Sequence, residues 1–389
     1  MDVANVVRVF MAGDLILGRG IDQILPHPSD PTLYEAHTGT TDARSYTKQV
    51  VSKKGALPKD PSFDYIWGDA LDILSEYNPD FRIINLESAV TTSDSPWLYK
   101  DILFRMHPKN VDTLKSIKVD CCVLSNNHVL DWGYSGLEET IKTLQDNGLG
   151  FVGAGKNIFE AEKPAIFGLR NGKGRIVVFG RCEKWAHVPA SWAATPDRAG
   201  VCTLAMVNIS EEIQLLTEQV KKVKKPGDLV ILSFHWGRNW DWTVPEYQQK
   251  FARAAIDVAG VDIIYGHSSH HVKGIEVYHG KLITYGLGDL INDFEGSINR
   301  YLARLSETYH YEWNLMYFAD FNQENGNVLN LKMVPTSIEK FQVRRADKDA
   351  TDWLHKQMDK LCKKLGAGVE RVGDELQLLI ANPLVKGEL

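Results

Sequence analysis

Gly227–Gly237, GDLVILSFHWG, and Val261–Gly274, VDIIYGHSSHHVKG, decide the fold, and Lys281–Asp293, KLITYGLGDLIND, completes the unit they begin. In the first two, an apolar run of strand length breaks off at an imidazole: Leu229–Phe234 delivers His235, and Val261–Tyr265 delivers Gly266, His267 and His270. Short apolar runs bounded by Gly and polar residues belong to strands covered on both faces. In open α/β sheets the carboxyl ends of such strands hold the ligands. Neutral imidazole is a common nitrogen donor to divalent metals, so histidines arriving together at strand ends predict a metal site. A lone histidine after a strand is more often a hydrogen-bonded structural residue; three in two equivalent positions favour ligation.

Working outward, other strand-like runs end in polar groups too. Val6–Ala12 ends at Gly13-Asp14, followed by Arg19. Taken alone, Asp14 would read best as a helix N-cap. Phe81–Ile84 runs into Asn85-Leu86-Glu87, and Val119–Leu124 opens onto Ser125-Asn126-Asn127-His128 with Asp131 close behind. Asn127 offers an amide oxygen to a metal and His128 faces the substrate, while Asp131 either orients that imidazole or caps the next helix. Two acids, one amide and three imidazoles suit Mn, Fe or Zn better than Mg or Ca, which prefer oxygen throughout.

The remaining chain reads as scaffold. Helical spacing marks Tyr65–Tyr77, Leu137–Asn147 and Glu211–Lys225, the last with a basic end suited to the negative pole of its dipole. Hairpins are expected around Asn171-Gly172 and Glu324-Asn-Gly326. Leu25–Pro61 and Arg181–Val201 lack a period and read as surface loops, the first a possible lid, the second a pocket wall. These divisions predict a main domain over 1–345 and a C-terminal helical extension, 346–389, packed on it.

Composition narrows the classes. With 389 residues, 44% hydrophobic and 24% charged, the chain can bury a large core. A net charge of -6 and a pI near 6.1 supply no basic face for nucleic acid or anionic lipid. The sequence contains no apolar run long enough to span a membrane. Five cysteines, two of them the adjacent Cys121 and Cys122, form neither a disulfide framework nor a metal knuckle. The expectation is therefore a cytoplasmic protein without a signal peptide, its oligomeric state left open.

Taken in order, Gly13-Asp14 with Arg19, Asn85-Leu86-Glu87, Phe104-Arg105 with Pro108, SNNHVLDWGYSGL from Ser125, HWG from His235, GHSSHH from Gly266 and ITYGLGDLIND from Ile283 resemble the calcineurin-like metallophosphatase superfamily. The closer resemblance is to its capsule-biosynthesis branch, the CapA/PgsA-like family linked to poly-γ-glutamate, and it covers roughly residues 7–340. It implies a four-layer α/β/β/α sandwich with one or two divalent ions at the strand ends. By the superfamily pattern Asp14 and His270 hold the first metal, Asn127, His235 and His267 the second, and Glu87 bridges. His128, with Asp131, would protonate a leaving group or stabilise charge, and Arg19, Arg105 and Asn126 would contact an anionic substrate. The pattern departs from that superfamily at Asp14-Leu15-Ile16, where Asp-x-His is usual, in lacking GDxxD, and in GHxxH for GHxH. The implied function is a metal-dependent hydrolase of an anionic amide, γ-glutamyl or phosphoester substrate. Alternatives are an accessory subunit in poly-γ-glutamate synthesis or export, and a relative recruited to small-molecule amide chemistry.

Overall fold

The first strand, Val6–Leu15, separates two cores, because successive side chains of a strand point to opposite faces. Val7, Val9 and Met11 enter one buried cluster, while Phe10 and Ala12 enter another. The same alternation runs through Arg175–Glu183, where Ile176 and Val178 share the cluster of Val7 and Val9, and Val177 and Phe179 face a third. Two sheets therefore lie face to face, each covered outside by helices. Ala70–Tyr77 and Gly133–Asp146 cover the first, Ile209–Val223 and Glu246–Asp257 the second. This computed structural model, which describes residues 5–35, 39–169, 174–206 and 208–380, is the α/β/β/α sandwich expected from sequence.

In the ten-stranded sheet, Val6–Leu15, Phe81–Leu86, Cys121–Val123 and Gly150–Val152 run parallel. On the other side of Val6–Leu15, Trp313–Asn322 and Val328–Glu339 continue antiparallel. The seven-stranded sheet has a parallel centre of Arg175–Glu183, Leu229–His235, Ile263–His267 and Lys281–Thr284. Both sheets thus present several carboxyl ends at one rim.

The first strand changes partner on its way there. As far as Met11 it pairs antiparallel with Trp313–Asn322, but Asp14 and Leu15 pair parallel with Asp289 and Ile291. Gly13 permits the exchange: a Cβ there would lie 1.9 Å from the Gly288 carbonyl oxygen, a separation no side chain tolerates. Asp14 and Asp289 come into register as a result.

Two stretches carry more structure than their composition suggests. Within Leu25–Pro61, Arg44–Lys54 is a helix anchored by buried Tyr46 and Val50. Beyond residue 345, helix Lys348–Lys363 is followed by a hairpin, Gly368–Val372 with Glu375–Leu379, which extends the ten-stranded sheet through Met333 and Leu376. Leu354, Met358 and Cys362 join the inter-sheet core. This segment thus closes the sandwich from within, where Leu354 and Met358 each contribute about 1.5–3 kcal/mol by burial, and it is not a purely helical layer on the outside. The expected turn Asn171-Gly172 lies outside the described residues, although its flanking strands, Ala165–Gly168 and Arg175–Glu183, do pair antiparallel.

Candidate metal centre

His235 and His267 are register partners on adjacent parallel strands, so the ladder sets their imidazoles side by side, with the two Nδ1 atoms 2.8 Å apart. His267 Nε2 is 2.7 Å from Ser233 Oγ, and His235 Nε2 is 3.0 Å from Asn127 Oδ1. Asp14 arrives from the opposing sheet, its Oδ1 3.9 Å from His267 Nδ1 and its Oδ2 3.8 Å from His270 Nδ1. His270 sits in the turn after its strand at a φ of 58° and lies 3.0 Å from Asp289 Oδ1. Two overlapping groups result, Asp14–His235–His267 and Asp14–His270–Asp289, each with donor atoms within 4.8 Å of one another.

Asp14 is therefore the carboxylate common to both groups. Glu87, expected to bridge, lies beside Asp14, with Oε1 3.8 Å from His128 Nε2 and 3.9 Å from His235 Nε2. Both Glu87 carboxylate oxygens are buried without a hydrogen-bond partner. A carboxylate so placed is costly unless paired or ligating. The residues thus fit a divalent cation by their donor chemistry and by this missing partner.

The electrostatics agree. Burial, then the neighbouring Asp289, raises the Asp14 carboxyl to about 7, and burial followed by Asp14 drives Glu87 well above the usual carboxylate range. Burial also holds His235 and His128 well below the ordinary imidazole value and brings His267 to about 3. His270 goes the other way: burial opposes its charge, but Asp289 and Asp14 outweigh it. Crowded acids beside imidazoles kept neutral are what a positive ion would relieve.

A layer of amides fixes this arrangement. Asn85 Nδ2 donates to Asp14 Oδ1 at 2.7 Å, and the Ser268 amide donates to Oδ2 at 3.0 Å. Asn126, expected to contact substrate, instead donates to Asn85 Oδ1 and the Leu86 carbonyl, while its own oxygen accepts from the backbone of His128 and Val129. With donor and acceptor both used, it shapes the loop that carries Asn127 and His128.

Asp131 resolves toward orientation. Its Oδ2 is 2.6 Å from His128 Nδ1 and accepts from the Phe104 amide, which turns His128 Nε2 toward Glu87. Lys100 completes this unit, with Nζ 2.5 Å from Asp131 Oδ1 and 3.0 Å from His128 Nδ1. Lys100, Asn127 and His128 line a cavity of about 540 Å³ with Trp97, Tyr99 and His187.

Neither arginine offers a free grip on an anion, which corrects the expectation for both. Arg19 is buried between Asp293, at 2.5 Å, and Glu35, at 3.1 Å, so its charge is already neutralised. Arg105 stacks on Trp132, 3.7 Å from the ring centre, and bonds to Asp94 and to the Ser93 and Asp30 carbonyls. Sequence reasoning also passed over Asp289 and Lys100. For Asp289 a signal existed: Gly288-Asp289 repeats the Gly13-Asp14 dipeptide.

A two-sheet α/β sandwich with an Asp/His cluster at one rim defines the class. The family description "Bacterial capsule synthesis protein PGA_cap" matches residues 8–294, and the chain belongs to that family. It is 36% identical over 375 residues to a probable polyglutamine synthesis accessory protein of Mycobacterium tuberculosis, covering 96% of this chain and 95% of the relative. It is 28% identical over 289 residues to the PGA biosynthesis protein CapA of Bacillus subtilis, covering 74% of this chain and 70% of that protein. Among solved structures, a phosphatase from Mycoplasma pneumoniae aligns at 13% identity and a TM-score of 0.44, covering 90% of this chain and 97% of that one. Among the described residues, no helix is long and apolar enough to cross a membrane.

Proposed function

We propose that the protein is a metal-dependent hydrolase acting on an anionic substrate, with an amide or γ-glutamyl linkage favoured over a phosphoester. The observation that carries this reading is the pair of buried Asp/His groups sharing Asp14, beside the partnerless Glu87 carboxylate and below the cavity lined by His128. Asp14, Asn127, His235, His267, His270 and Asp289 would hold one or two ions of the Mn, Fe or Zn kind, with Glu87 beside them. Such ions supply a water of lowered pKa and a Lewis acid for the charge that develops on the substrate.

The protein's own groups would do the rest. His128, held by Asp131, presents Nε2 to the cavity floor, where it can pass a proton to a leaving nitrogen or oxygen. Lys100 reaches the same cavity with its ammonium already committed to Asp131 and His128, so it steadies that pair, and Trp97 and Tyr99 line the opening. The γ-glutamyl preference is supported by relatives named for polyglutamine synthesis and PGA biosynthesis.

The accessory role in the name of the mycobacterial relative favours a second reading, in which the site holds polymer without cleaving it. Metal analysis, followed by assays on γ-glutamyl peptides and p-nitrophenyl phosphate with and without chelator, separates the two. Hydrolysis abolished by chelation and by His235→Ala or Asn127→Ala is expected. Metal bound without turnover of either substrate would leave the binding role.

A further inference from the structure

Loop Gly237–Pro245 has the metal centre on one side, where Asn239 and Trp240 line cavities that reach His128 and His270. On its other side lies a separate cavity of about 410 Å³, lined by Trp185, Arg238, Asp241, Thr243, Tyr247 and Lys273 among others. Lys273 is 3% exposed. Its stem lies against Gly286, where a Cβ would come within 3.0 Å of Lys273 Cγ and Cδ. Its ammonium makes no ion pair or side-chain hydrogen bond among the described residues. The ammonium opens onto the cavity, and burial of the residue lowers it to about 8, only partly offset by Asp241.

The surroundings repeat the pattern. Arg238 is exposed, has no carboxylate partner among the described residues, and rests 5.6 Å from the centre of the Trp185 ring. Thr243 occupies only Oδ1 of Asp241. Behind Gly237, Glu183 spends Oε1 on the Gly237 amide and Tyr247 while Oε2 stays unpaired.

Two cations without a carboxylate partner among the described residues and one carboxylate with a free oxygen, beside Trp185 and Tyr247, suit a small ligand with two negative groups and one positive. A carboxylate fits better than a phosphate dianion, which Asp241 would repel. We propose that this cavity is a second ligand site, distinct from the metal centre, which takes a free acidic α-amino acid. Lys273 and Arg238 would bind the two carboxylates, and Asp241 the ammonium.

The test is calorimetric titration of the protein as purified, metal retained, with L-glutamate, glutarate and inorganic phosphate, with Trp185 fluorescence in parallel. Saturable one-to-one binding of L-glutamate is expected, weaker for glutarate, which lacks the ammonium, and for phosphate. Lys273→Gln and Arg238→Gln should each weaken it by about tenfold or more, as expected for losing a charge-assisted hydrogen bond. His235→Ala should leave it unchanged, which separates this site from the metal centre. Because Arg238 is on the surface, its variant gives an answer even if Lys273→Gln does not fold. Absence of saturable glutamate binding, tighter binding of phosphate, or binding that survives both substitutions and is lost in His235→Ala would overturn the proposal.

Discussion

The two groups that share Asp14 are held in different ways. His235 and His267 are fixed by a parallel ladder at the centre of a sheet, both fully buried. His270 comes from a turn at positive φ, where a residue with a Cβ is strained, and it borders a cavity beside Trp240 and Phe294. The first group is therefore built into the fold, whereas the second depends on a turn and on Asp289 arriving where the first strand changes partner. From this difference the first group is expected to bind its ion more tightly and to lose it last during dialysis against chelator.

The sharpest way to break the comparison is Asp14→Ala, which removes a donor from both groups. Metal content and turnover should both fall to background, as read by elemental analysis and the hydrolysis assay. Next, His235→Ala and His270→Ala should part company. The former should abolish turnover, while the latter should lower metal stoichiometry at the second group with partial activity left. Equal losses in the two variants would refute the distinction. His128→Ala spares both groups, so metal content should stay at the wild-type level while kcat drops about 10²–10⁴-fold, the usual contribution of a proton-transferring side chain. The smallest effect is expected from Lys100→Met, which leaves His128 and Asp131 in place but removes the ammonium that steadies them; a loss of about 10–100-fold follows from the usual cost of disturbing a supporting group. An unchanged rate in Lys100→Met would assign the lysine to packing against Trp192, 5.5 Å away.

The same contrast explains what could be read in advance. His235 and His267 were visible because an apolar run of strand length fixes where its last side chain goes. His270 and Asn127 were visible because each follows such a run within a few residues. Asp289 also stands at a strand, but the short run Asp289–Ile291 is too brief to carry a pattern, and its role depends on pairing with a strand 275 positions earlier. Lys100 lies in an aperiodic loop where nothing local points to Asp131. The family resemblance offers Arg19 and Arg105 to an anion, but a sequence displays a charge without its partner, and Asp293 lies 274 residues from Arg19. The C-terminal hairpin escaped notice because Val369, Leu376 and Leu378 bury against a core made elsewhere.

By itself, the sequence determined the layers and the rim. Alternation along Val6–Leu15, Arg175–Glu183 and Leu229–His235 commits two faces of each sheet to burial, and the polar residues that end the runs must then gather at one edge. Only the tertiary structure decided which of those polar groups touch. The exchange of strand partners at Gly13 made Asp14 the shared carboxylate, and long-range ion pairs withdrew Arg19 and Arg105 from the site. Burial is a property that a short stretch of chain can encode, whereas the pairing of charges depends on distances set by the whole fold.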